Sequence, residues 1–129
     1  MTNEGIRQQI AGRVSSSWAT ATPIAVPNRV FEPPNDSSWA QYNILFGQPM
    51  EGELMGVGIR IGVIMFEVNV PVGDGARVLN ILSDRAEAMF RYQDLNGVQT
   101  EEPYTETRGE VGGYYRAVTI IPFHTFVGE

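Results

Sequence analysis

The chain has 129 residues, fifteen acidic and nine basic, for a net charge of −6, with 43% hydrophobic and 19% charged residues. That describes a single domain over residues 1–129 with enough apolar material for a core, and it excludes wholesale disorder. The absence of cysteine removes disulfides, thiolate zinc sites and cysteine nucleophiles, and an acidic balance argues against general binding to phosphate backbones.

No apolar run is long enough to span a membrane, and the first ten residues lack the basic start and apolar stretch of a signal peptide. All nine basic residues are arginine. The arginine fork suits carboxylates and is the cation favoured at protein interfaces, although genome or lineage bias is the better explanation of the usage.

Over residues 4–17, Ile6, Ile10, Val14 and Trp18 recur every four positions, which predicts an amphipathic helix with Thr2 or Asn3 as its cap. Residues 18–34 hold four prolines and predict an extended edge segment at Pro23–Val26, then an irregular stretch to Pro34. From Ser38 the pattern alternates, with Ala40, Tyr42, Ile44 and Phe46 as the core face of a strand.

A glycine-rich loop follows, and then a 14-residue strand, Val57–Val70, that would reach about 46 Å if fully extended. Its apolar positions change sides near Gly62–Ile64, which predicts a bend or bulge there and a projecting hairpin arm before it. Pro71 ends the ladder. A helix is predicted over Ala76–Tyr92, capped by Asp74, with Val78, Leu79, Leu82, Ala86, Met89 and Phe90 buried. The turn DLNG at 94–97 and strands at 98–107 and 114–126, joined by RGEVGG, close the chain. The expected fold is α+β: a mainly antiparallel sheet of four to five strands packed by two helices, in the order α-β-β-β-α-β-β.

No catalytic site is expected. His124 is the only histidine, with no nucleophile motif, and it reads as a strand-end histidine holding a hydrogen bond. GDG at 73–75 lacks the spacing of a phosphate loop, and without lysine no Walker motif is possible. No spacing suggests a metal or cofactor site. Glu101, Glu102, Glu106 and Glu110 read as a solvated acidic face, or as the lining of a channel that DNA crosses without adhering. The loop of Met50, Glu51, Glu53, Leu54 and Met55, with Arg60 on the strand after it, is either a subunit or partner contact or an ordinary mobile loop.

The order of signals resembles the tail terminator or tail-completion proteins of long-tailed bacteriophages. The resemblance rests on the N-terminal helix, TPIAVPNRVFEPP, SSWAQYNI, FEVNVPVGDG, AEAMFRY and YYRAVTIIPFHTF. It implies a non-enzymatic virion protein of the tail neck, assembled in the host cytoplasm. Such a subunit forms a ring, a homohexamer, that caps the head-proximal end of the tail tube and stops its polymerisation. Its partners would be the tube protein and the head-tail connector, with DNA passing the lumen. A connector or stopper ring, or a tube-like subunit, is the alternative within assembly.

Overall fold

The computed structural model describes residues 2–18, 21–34, 37–47, 50–51, 58–73 and 75–127. Helix α1 (Asn3–Trp18) forms as its spacing predicts, and Ile6, Ile10, Val14 and Trp18 are its buried stripe. Thr2 is the cap: its hydroxyl accepts the Gly5 amide at 2.9 Å, and its carbonyl accepts Ile6. Helix α2 (Gly75–Phe90) buries Leu79, Ser83, Ala86, Met89 and Phe90, while Val78 and Leu82 are half-buried. Ser83 escapes the apolar pattern because its hydroxyl is satisfied within the helix by the Leu79 carbonyl at 2.8 Å. The proposed cap Asp74 lies outside the described residues.

Eight strands build one mixed sheet: β1 (Ile24–Ala25), β2 (Trp39–Phe46), β3 (Met50–Glu51), β4 (Gly58–Pro71), β5 (Asp94–Leu95), β6 (Val98–Thr100), β7 (Tyr104–Val111) and β8 (Tyr114–Val127). The path runs β1-β2-β4-β8-β6-β5, with β3 on β4 and β7 on β8. Among the described strands only β1 and β2 pair in parallel. The α+β class therefore holds, but the expectation of four to five strands ordered α-β-β-β-α-β-β does not. The difference has local causes. Pro103, which lacks an amide hydrogen, sits between β6 and β7 and splits the strand expected at 98–107. The edge segment expected at Pro23–Val26 forms as β1, whereas the two-residue pieces at 50–51 and 94–95 were too short to carry a period.

β4 and β8 pair without interruption from Gly58↔Val127 to Pro71↔Tyr114. The expected bulge near Gly62–Ile64 is absent, as β2 also pairs in unbroken register from Trp39↔Asn69 to Phe46↔Gly62. The first half of β4 is consequently no isolated arm, because β8 accompanies it to its end. The real irregularity lies in β7, between Thr107 and Gly109. The β7–β8 turn is two glycines, Gly112 (φ 61°) and Gly113 (φ 85°), as a tight hairpin of this hand requires.

Both helices lie on one face of the sheet. Ala40 and Tyr42 of β2, Ile64, Phe66, Val68 and Val70 of β4, and Ala117, Ile121 and Phe123 of β8 form the core with α1 and α2. The Trp18 ring meets Phe66 edge-on at 4.7 Å, and the Arg85 guanidinium lies 5.8 Å over the Trp18 ring.

Candidate assembly surfaces

In a strand, alternate side chains take opposite faces, so the register fixes what lies opposite the helices. That second face carries Trp39, Gln41, Asn43 and Leu45 from β2, and Ile59, Ile61, Val63, Met65, Glu67 and Asn69 from β4. β8 adds Arg116, Val118, Ile120, Pro122, His124 and Phe126. Ile59, Ile61, Val63 and Met65 line this open face while Ile64 faces the helices, so the apparent change of core side in the sequence is an apolar strand with two apolar faces.

Among the described residues only the segment 26–34 crosses the open face. It covers the Trp39 end: Phe31 packs on Trp39 at 5.5 Å, and the Tyr114 hydroxyl donates to the Pro34 carbonyl. Beneath it, Gln41 and Asn69 both donate to Glu67, and Arg116 approaches the same carboxylate at 3.8 Å. Beside it runs a groove of about 520 Å³, bordered by Pro27, Arg29, Asn43, Met65 and Val118. At the far end Leu45 is 48% and Phe126 51% exposed, with Ile59, Ile61 and Val63 half-buried between them. Contiguous exposed apolar surface of this kind marks contact surfaces.

The residues singled out from sequence are scattered relative to that face. Met50 and Glu51 form β3, bonded to Ile59 and Gly58. Glu53, Leu54 and Met55 lie outside the described residues. Arg60 points to the helix side and donates to the Asn3 side chain of α1, so it joins two elements of one chain.

The acidic residues do not make one stripe. Glu101 bonds His124 at 2.9 Å, which supplies the hydrogen bond expected of that histidine. Glu102 pairs with Arg91 at 3.4 Å, and Glu106 with Arg108 at 3.8 Å. Glu106 stands opposite Val118 and Glu110 opposite Tyr115, which places them on opposite faces of the sheet. The extra residue at Arg108 causes this, since one inserted residue exchanges faces for everything beyond it. No cluster of three or more acidic or histidine side chains able to hold a metal occurs among the described residues.

No family model and no curated protein matches the chain. A solved structure does, at a TM-score of 0.74, with 20% identity over 100% of this chain and 99% of the other. That protein's name carries no functional word, and at this identity the likeness shows the fold alone.

Arg29, Leu45 and Phe126 were not singled out from the sequence. For Leu45 and Phe126 a signal existed, because β2, β4 and β8 each carry apolar residues at both parities. Arg29 sits in an irregular proline-rich stretch, where no period operates.

Proposed function

We propose that the chain is a structural virion protein of the phage tail-terminator kind, a ring subunit that caps the head-proximal end of a tail tube and presents a docking surface to the head connector. It has no enzymatic role in this reading. Its partners are further copies of itself, the tube protein and the connector, and DNA crosses the lumen without specific contacts. Its place is the neck of the virion tail, after assembly in the host cytoplasm.

The observation that carries the reading is the open sheet face. One side of the sheet is sealed by two helices, whereas the other leaves Leu45 and Phe126 about half exposed beside half-buried Ile59, Ile61 and Val63. A subunit that contacts neighbours on more than one surface needs such a face, and a ring needs two different patches per copy. The motif order of tail terminators supplies the remaining support.

The test is absolute mass in solution by light scattering across a concentration series, followed by negative-stain imaging. Six copies of a 14.3 kDa chain weigh about 86 kDa, and a closed ring near that mass is the expected result. Long stacks would instead identify a tube subunit. A protein that neither forms rings nor shortens tubes when added to polymerising tube protein would overturn the reading.

A further inference from the structure

The outer edge of β2 is only partly used. β1 pairs with it at Ala40 and Gln41 alone. Because the Ala40 amide bonds outward to the Pro23 carbonyl, the groups of Ile44 and Phe46 also face outward by the alternation of the ladder. Among the described residues no strand receives them. The Ile44 amide turns instead to the side chain of its neighbour Asn43, at 3.2 Å. Such an edge is a template for a further strand.

Its surroundings state what that strand should carry. Grooves border the edge on both faces: Arg29 lines the one on the open face, and Arg7 lines one of about 260 Å³ on the helix side, with Ile44 and Phe46. Arg7 already holds Glu4, whereas Arg29 is exposed and has no ion pair among the described residues. An extended segment with carboxylates is the complementary occupant.

The chain itself contains one. β7 pairs with β8 on one side and leaves its other edge free among the described strands. It carries Glu106 on the open face and Glu110 on the helix face, so one edge presents a carboxylate to either side. Its exposed pairing with Arg108 at 3.8 Å is weak enough to yield. The β2 and β7 edges lie at opposite sides of the sheet, so joining them is a head-to-tail contact, the kind that closes rings. The bulge and charges of β7 meanwhile discourage indiscriminate pairing.

We infer that neighbouring copies join by adding the β7 edge of one to the free Ile44–Phe46 edge of the next, with Glu106 of one copy against Arg29 of the other. The contact rests on the ring-subunit reading and specifies how its copies meet.

The experiment compares wild type, Arg29→Glu, Glu106→Arg and the double variant by light scattering, with circular dichroism to establish folding. Each single reversal should weaken self-association at least about tenfold, and the double variant should recover most of it. A second arm uses the absence of native cysteine: Asn43→Cys and Tyr104→Cys chains, mixed, should form a dimer with a short thiol cross-linker that neither forms alone. Unchanged association of folded single variants, together with no mixed cross-link, overturns the edge contact. If rings persist in that case, the terminator reading stands with a different interface. A wild type that stays monomeric at every concentration also overturns the contact, while tube capping by that monomer would still sustain the terminator reading.

Discussion

Gly62 of β4 lies directly beneath the ring of Phe123 on β8: a Cβ at position 62 would stand 2.5 Å from Phe123 Cζ and 2.6 Å from the Leu45 carbonyl oxygen. The two residues are paired in register, and the missing side chain is the space the ring fills. Gly62→Ala should therefore destabilise the fold by about 1–3 kcal/mol, as overpacking does. Chemical denaturation would measure this as a lower midpoint with unchanged slope.

Two other glycines separate the roles of this residue. Gly12 lies inside α1, and a Cβ there would meet nothing within 4 Å. Gly12→Ala should raise stability by about 0.5–1 kcal/mol through the helix preference of alanine. Gly113→Ala should lower it by about 1 kcal/mol or more, because φ is +85° there. The contrast in thermal midpoints between two equally roomy sites checks the argument.

Asn69 is fully buried, and its Oδ1 has no hydrogen-bond partner among the described residues, while its amide reaches Glu67 only at 3.4 Å. An unpaired buried acceptor costs more than an apolar group of similar shape. Asn69→Leu is expected to be neutral or to stabilise by about 1 kcal/mol, measured by urea unfolding. A loss of several kcal/mol would mean that the oxygen is satisfied in solution.

The Arg7 guanidinium bonds Glu4 at 2.7 and 2.6 Å, and with the Gln8 amide it holds that carboxyl down at about 2. A folded pKa below the unfolded one stabilises above the unfolded value, and that contribution disappears as pH falls toward about 2. Side-chain NMR titration should show Glu4 ionising well below the usual carboxylate range. Arg7→Ala should return it toward the ordinary range, and added salt should do so in part, because both groups are exposed.

The legibility of this fold follows the strength of each period. Ile6, Ile10, Val14 and Trp18 share a stripe that only a helix produces, so α1 was readable with its cap. The 14-residue length of β4 was readable too, but not its orientation. Ile59 to Met65 and Ile64 to Val70 satisfy period two on opposite faces, and alternation alone does not say which face the helices take. The hairpin at Gly112–Gly113 followed from turn chemistry, whereas the insertion at Arg108 left no mark in composition and turned Glu110 away from Glu106. Arg29 and the free edge of β2 depend on what fails to pair, which no local pattern encodes.

The ladder between β4 and β8 joins segments on either side of α2, and β8 also receives β6 and β7. The middle of the sheet is thus the last strand of the fold to leave the ribosome. Until residues 114–127 emerge, β4 lacks one neighbour, β6 and β7 lack their common partner, and the core lacks Ile121 and Phe123. Loop closure across that separation precedes most of the stabilising contacts. Folding should therefore await the emergence of β8 and be concerted, and protease protection on stalled nascent chains should appear in one step once residues 114–127 are exposed.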